Sequence, residues 1–421
     1  MDRRTLLLAL PAVATALVVV VLFGPGQERP VVAARVMTSG AEPDGPRSLR
    51  IETIERGAPI PRPVSLDEVS LFASGQDTPL WKGRTGPAGV VEAALAAPLP
   101  PGSRVRVRTG QRTLAEGVLK GKGGPAPSAT AAALPGVVEG DLVVSARIAT
   151  GTLVPSIPGV VSVEVRDGAG LVSEATLAMT GSSVEPPTLE VGVKDGRALL
   201  PLTAIAPPAV IDLTAKAGSR SGTLRVELPT VMGAIAASIA DDELTLVSPA
   251  PRDVAFVSLF DDLGRTGGGV VELQAAPDGF FRGKMPIGSD VRAVTVSSDA
   301  YEVGASTVTW PGVERSGAAS APRLTIALDG MPAAVAAETT RLARVRTATT
   351  AALSLAAALE IALLLWTRRD ARGALPRSTE NAPERGGDSH GAPRPVWGFL
   401  AAISALVLLA LAAVVGLVVM R

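Results

Sequence analysis

The sequence predicts a mainly β protein: three tandem antiparallel β-sandwich modules outside a membrane, plus three transmembrane helices, one N-terminal and two C-terminal. Three observations predict this. Long apolar runs stand at both ends of the chain, short alternating runs fill the middle, and one set of residue blocks occurs twice in the same order.

The chain begins Met1-Asp2-Arg3-Arg4, and residues 5–27 carry no charge. Residues 1–27 therefore read as an N-terminal transmembrane anchor, because the apolar stretch 6–23 is long enough to cross most of a hydrocarbon layer of roughly 30 Å. The competing reading is a cleaved signal peptide, with the small residues of Val32-Ala33-Ala34 at the cleavage site. That site lies well beyond the apolar run, past Pro25 and Pro30, so the uncleaved anchor is preferred.

Blocks of the first module, residues 45–122, recur in the third, residues 235–313. Leu49-Arg50-Ile51-Glu52-Thr53, Val69-Ser70-Leu71-Phe72, Gly83-Arg84-Thr85-Gly86 and Gly89-Val90-Val91-Glu92 appear in that order. Glu243-Leu244-Thr245-Leu246-Val247, Val257-Ser258-Leu259-Phe260, Gly264-Arg265-Thr266-Gly267 and Gly269-Val270-Val271-Glu272 follow in the same order. Spacing differs by a few residues at turns, as expected of an internal repeat whose insertions fall in loops. The second module, residues 139–230, keeps the rhythm with less identity: period-two alternation over 161–166, then turns at Asp167-Gly168 and Asp195-Gly196. Such alternation between Gly, Pro and Asp turns predicts half-buried antiparallel strands packed as sandwiches. Residues 121–135 and 311–322 read as linkers, and the Ala-rich stretch 332–346 as a helix continuing outward from the second span.

That second span is placed at 347–366 and the third at 396–420, with Trp366 and Trp397 at headgroup level. Between them, residues 367–395 form an Arg- and Pro-rich loop, which belongs in the cytoplasm by the positive-inside rule. The resulting expectation is a multi-pass protein of the cell membrane (the inner membrane if Gram-negative) with a cytoplasmic N-terminus and the bulk of the chain extracytoplasmic. Arg341, Arg344 and Arg346 run against this orientation, since they precede the second span on its outer side.

The turn, Gly, apolar-strand pattern in 85–107, 195–215 and 278–296 resembles bacterial Ig-like and carboxypeptidase-regulatory-like domains, and also macroglobulin-type modules of bacterial envelope proteins. The resemblance implies β-sandwiches serving as spacers or binding modules. It does not bring the macroglobulin thioester, which needs a cysteine.

Composition narrows the chemistry. Among 421 residues there is no cysteine, which excludes disulfides, Cys-ligated zinc, iron–sulfur clusters and thiol catalysis. Net charge is zero, so nothing points to nucleic acid. The only histidine, His390, falls in the 367–395 loop, leaving no Ser-His pair or His-ligated metal for the β region. Asp241-Asp242 and Asp261-Asp262 read as turn residues rather than as a carboxylate dyad or calcium site. Gly264-Arg265-Thr266-Gly267-Gly268-Gly269 reads as a hairpin turn, because no Gly-Lys-Ser/Thr follows it. No cofactor, metal or small-molecule substrate is indicated, and the expected partners are the lipid bilayer and an envelope protein.

Two residues stand out. Glu360 lies inside the second span, where a carboxylate faces a partner or water, or else snorkels toward Arg368 and Arg369. Trp81 is a candidate surface contact, with packing onto its own module as the competing role. The sequence thus favours a non-enzymatic, membrane-anchored envelope protein with spacer or protein-interaction modules. The alternatives are a subunit of a membrane transport or sensing complex built around Glu360 and the C-terminal helical hairpin, and a hydrolase using carboxylates alone.

Overall fold

A computed structural model describes residues 27–39, 47–57, 61–122, 133–149, 151–261, 264–302, 306–309 and 325–373, with isolated residues between 13 and 24. The chain divides into two units, one of residues 32–331 and one combining residues 1–31 with 332–421.

The larger unit is built of strands. The first stretch supplies β1 (Val31–Thr38), β2 (Ser48–Arg56), β3 (Arg62–Pro63), β4 (Val69–Ala73), β5 (Trp81–Gly83), β6 (Val90–Ala94), β7 (Arg104–Thr109), β8 (Arg112–Val118) and β9 (Lys120–Lys122). The second supplies β10 (Gly136–Gly140), β11 (Val143–Ile148), β12 (Pro158–Asp167), β13 (Gly170–Leu171), β14 (Glu174–Ser182), β15 (Val184–Glu185), β16 (Thr188–Lys194), β17 (Arg197–Ala204), β18 (Ala209–Ala217) and β19 (Arg220–Leu228). The third supplies β20 (Ala236–Ala240), β21 (Glu243–Ser248), β22 (Val254–Phe260), β23 (Arg265–Glu272), β24 (Gln274–Ala275), β25 (Phe281–Pro286), β26 (Ala293–Ser297) and β27 (Ser306–Thr309), and β28 (Thr325–Asp329) closes the set.

The first module pairs a sheet of order β3-β2-β1-β28-β9, with β6 also paired to β2, against a sheet of order β5-β4-β7-β8. Its core is made by the inward side of each alternation: Leu49 and Ile51 from β2, Val69 and Leu71 from β4, Val105 and Val107 from β7, and Ile326 from β28. Two of these strands come from outside the stretch 45–122. β1 precedes it, and β28 arrives some two hundred residues later to lie between β1 and β9 (Arg35↔Asp329, Thr325↔Lys122). The second and third modules are therefore an insertion between two neighbouring strands of the first. Local periodicity carries no sign of this, because a strand's partner is fixed by tertiary pairing.

The third module repeats the plan with sheets β20-β21-β25-β24 and β23-β22-β26-β27 around Leu244, Leu246, Val257, Val294 and Val296. The sheet β5-β4-β7-β8 of the first module has the same order as β23-β22-β26-β27 of the third. One repeated block changes place. Gly89-Val90-Val91-Glu92 crosses over to pair with β2, whereas Gly269-Val270-Val271-Glu272 stays on β22 as the end of the eight-residue strand β23. The cause is local. Pro87, absent from the third module, has no N–H for a ladder, and Gly89 takes φ +69° to complete a tight turn (Gly89 N to Gly86 O, 2.9 Å). The hairpin turn expected over 264–269 is corrected by the same comparison: the Asp261 amide donates to the Gly264 carbonyl (3.0 Å), and residues 265–269 are extended strand.

In the second module a single sheet runs β10-β19-β18-β14-β16-β17-β12-β11. β16 and β17 share only the pair Lys194↔Arg197, so the strands fold into two faces around one core that includes Val161, Val163, Leu177, Leu200, Ile211 and Leu213.

The other unit contains helix α1 (Met331–Gly373), which at 1.5 Å per residue is about 65 Å long. It is continuous from the Ala-rich stretch through 347–366. At its start Glu338 Oε1 accepts from the Arg29 amide (2.8 Å), and Arg341 Nη2 donates to the Gln27 carbonyl (2.8 Å). Among the described residues no helix is long and apolar enough to cross a membrane. Most of 1–27, and all of 396–420 and of the 367–395 loop past 373, lie outside the described residues.

Candidate functional site

The most unusual chemistry sits where the third module meets the first. β2 alternates as an edge of a sandwich should, with Leu49, Ile51 and Thr53 on one side and Ser48, Arg50 and Glu52 on the other. Yet every residue from Ser48 to Ile54 is buried. The polar side of β2 is covered by β23 and by the 299–302 turn.

Arg50 is the centre of this contact. Its Nε donates to Glu92 of β6, its Nη1 to the Ala300 carbonyl (3.0 Å) and its Nη2 to the Val257 carbonyl (2.5 Å). Arg265, the first residue of β23, reaches the same carboxylate from the other module: Nη2 lies 2.8 and 2.9 Å from the two oxygens of Glu92. Arg265 Nε donates to Ser258 Oγ (3.1 Å), which donates to Glu302 Oε1 (2.5 Å). Glu302 Oε1 also accepts from Thr295 Oγ1 (3.3 Å) and faces Arg50 Nη1 at 3.7 Å. Ser48 Oγ donates to the Arg265 carbonyl (2.8 Å).

Two guanidiniums thus face two carboxylates, and the group is neutral. Burial pushes the Arg265 pKa down, and the nearby charge of Arg50 adds to that, opposed by Glu92 and Glu302. Glu302 holds its place at φ +56°, a left-handed conformation that costs a non-glycine residue roughly 1 kcal/mol or more. Such an arrangement persists only where the surroundings over-determine it.

A second group adjoins the first. Arg35 of β1 lies 3.4 Å from Glu52 and 3.2 Å from Asp329 of β28, with its guanidinium 5.1 Å from the Tyr301 ring centroid. Burial raises the Glu52 pKa, and Arg35 offsets this only in part. Burial, reinforced by Asp329, pushes the Tyr301 hydroxyl up to about 12. For Arg35, burial pulls down, but Glu52 and Asp329 outweigh it and the net direction is up. Beside this group opens a cleft of about 440 Å³ lined by Val118, Lys120, Tyr301, Leu328 and Asp329, among others.

These groups hold two modules together; nothing in them is arranged as nucleophile and base. Among the described residues no cluster of three or more His, Asp or Glu could hold a metal ion. Asp241 and Asp242 form the two-residue turn between β20 and β21, both at positive φ (50° and 56°), which places them in turn geometry. Asp261 Oδ1 accepts from the Gly264 amide (2.7 Å), again a turn role. Asp262 and His390 lie outside the described residues.

The two residues singled out from sequence fall elsewhere. Trp81 sits on β5 opposite Leu71, half-buried against the first module's core, and its indole covers Gly83, where an added Cβ would lie 2.4 Å from the ring. Glu360 lies within α1, and its side chain is outside the described residues. Sequence reasoning missed Arg50, Glu92, Arg265 and Glu302. A signal was present: with the buried leucines aligned, Leu49 on Leu244, the third module has Thr245 and Val247 where the first has Arg50 and Glu52. Charge appearing on one copy of a repeated strand marks a face with a different neighbour.

No protein-family model matches the chain, and no curated protein matches it. Solved structures similar to it include β-sandwich proteins of Ig and fibronectin type. They include invasin, a bacterial integrin-binding protein, at 15% identity over 63% of this chain and 56% of that chain, with a TM-score of 0.16. A two-domain fibronectin type III segment of chicken tenascin is 21% identical over 35% of this chain and 88% of that chain, with a TM-score of 0.16. Domains 1–6 of the surface-layer protein SbsC are 10% identical over 64% and 44%, with a TM-score of 0.18. Likenesses at these scores carry no argument about activity or partners.

Proposed function

We propose that this is a non-enzymatic, membrane-anchored envelope protein that holds a rigid set of β-sandwich modules outside the bilayer for contact with a protein partner. The observation that carries the reading is the pairing of β1 with β28. The chain enters and leaves its β unit on adjacent antiparallel strands, with Arg35 opposite Asp329. The preceding and following segments therefore emerge at the same end of one sheet, as two anchors in one bilayer require.

Three further points support it. Gln27 and Arg29 bond to Arg341 and Glu338 near the start of α1, so the two exits run together. Ala33 and Ala34, the small residues of the supposed peptidase site, are wholly buried in β1, and cleavage there would remove part of a core strand. Arg341 is paired with Glu338 (2.5 Å), whose pKa it holds down at about 2, so one of the three arginines opposing the orientation is locally neutralised. The buried groups around Arg50 and Arg35 then fix the third module onto the first, leaving the second as the module to be presented.

The cysteine-free chain allows a clean test. Ser74→Cys and Ser378→Cys are introduced singly in the full chain, and intact cells are treated with a membrane-impermeant maleimide. The expected result is labelling of Ser74→Cys in intact cells, labelling of Ser378→Cys only after permeabilisation, and retention of both in the membrane after carbonate washing. Carbonate release, or labelling of Ser378→Cys in intact cells, would overturn the reading.

A further inference from the structure

The outer face of the sheet formed by β11, β12 and β17 in the second module has a composition unlike the rest of that module. The register places Val143 opposite Arg166, Ser145 opposite Glu164, and Arg147 opposite Ser162; β17 continues the rows with Arg197 beside Glu164 and Leu199 beside Ser162. All of these point away from the core, whose side is taken by Val144, Ala146, Val163, Val165, Ala198 and Leu200.

Glu164, at the middle of this grid, is only 6% exposed although it lies on the outer face. Arg147 Nη2 is 3.0 Å from its Oε2, and Arg166 binds its Oε1. One carboxylate thus fixes two guanidiniums over itself. Arg197, directly across the ladder and exposed, has no carboxylate partner among the described residues. Three arginines against one glutamate leave the face positive, on a module that otherwise carries more acids than bases. Among the arginines stand Val143, Leu171 and Leu199, exposed by 55%, 45% and 49%.

We infer that this face is the docking surface for an extended, carboxylate-bearing protein segment with apolar side chains between its acids. This deepens the proposed function and rests on it, by naming the chemistry of the partner that the presented module meets. The charge selects an anion, and fixing Arg147 and Arg166 in advance reduces the ordering cost of binding. The apolar residues select a protein over a polyanion, since a phosphate or sugar-acid polymer has nothing to cover Leu171 and Leu199. Arginine is also among the residue types that contribute most to protein interfaces.

The test uses the full chain in detergent and a fluorescent synthetic peptide, (Glu-Leu)6, read by anisotropy, with (Lys-Leu)6 and polyphosphate as comparisons. Arg197→Glu, which breaks no ion pair among the described residues, is expected to weaken (Glu-Leu)6 binding by about tenfold or more. Leu199→Ser is expected to weaken it by about threefold or more. (Lys-Leu)6 is expected not to bind, and polyphosphate at equal charge not to displace the acidic peptide. Wild-type affinity in Arg197→Glu would overturn the inference, as would displacement by polyphosphate together with no effect of Leu199→Ser, which would indicate an anionic polymer. Should Arg197→Glu melt lower, Arg197→Ala gives the same reading with a smaller expected loss. Carbonate washing of the same membranes separates the two readings: released protein that still binds the peptide counts against the anchor alone, and retained protein that does not bind counts against this face alone.

Discussion

Replacing Glu92 by Gln removes the one carboxylate that Arg50 and Arg265 share across the junction. Both guanidiniums are sealed from solvent, with side chains 1% and 0% exposed, while Glu92 itself keeps 19%. Taking one partner from a buried ion pair costs about 3–5 kcal/mol, because the remaining charge stays buried without compensation. Arg50 retains two carbonyls and Glu302 at 3.7 Å, and Arg265 retains Ser258 and the nearby charge of Glu302, so the lower end applies. We expect a loss of about 3 kcal/mol, roughly a hundredfold in the docking of the third module onto the first. Hydrogen exchange of β2, β6, β22 and β23 amides should rise in step with a lowered melting temperature, while β14 and β18 amides of the second module change less. Adding Arg265→Met to Glu92→Gln removes the stranded cation and should recover at least about 1 kcal/mol. Exchange and melting within about 0.5 kcal/mol of wild type for Glu92→Gln would falsify the reasoning, since surface substitutions cost no more than that. A deeper loss in the double variant would point to packing rather than charge.

The equivalent glycines of the repeat should behave oppositely. Gly89→Ala places a methyl at φ +69°, 2.6 Å from the Thr53 carbonyl oxygen, and should cost about 2 kcal/mol or more in thermal unfolding. Gly269→Ala meets only the end of Met285 at 3.4 Å, in extended backbone, and should be neutral or stabilise by up to about 1 kcal/mol; equal losses at both sites would refute the difference in backbone conformation between them. The buried Glu52 sets a pH dependence. Its pKa is raised from the ordinary 4.5, so its contribution to stability is complete below that value and is lost as pH rises through the folded value. Wild type should therefore gain on Glu52→Gln as pH falls from 7 to below 4.5, and Glu52→Gln should be no less stable at pH 7. Melting curves with the opposite trend would mean that pairing with Arg35 outweighs the burial.

Much of this protein is written locally. Alternation such as Leu49-Arg50-Ile51 or Val161-Ser162-Val163 specifies strands, because period two is a property of the extended backbone itself. The Ala-rich stretch from 332 specifies the first part of a helix by propensity, and it runs on unbroken as α1. The absence of cysteine and the solitary histidine restrict the chemistry whatever the fold. The β-sandwich character and the kinship of the first and third modules follow from these patterns.

What the sequence could not assign is partnership between distant segments. That β28 returns to lie between β1 and β9, that Gly-Val-Val-Glu joins one sheet in one copy and the other sheet in the next, and that the polar side of β2 is buried by β23 are all choices made between surfaces far apart in the chain. Alternation tells a strand which side is polar; it does not say whether water or another module covers that side. Arg50 and Glu92 become a clamp only because the third module covers the side of β2 and β6 on which they stand. Arg147, Arg166 and Arg197 show the reverse case: scattered over fifty residues of sequence, they become one positive face only because β11, β12 and β17 are neighbours in the same sheet.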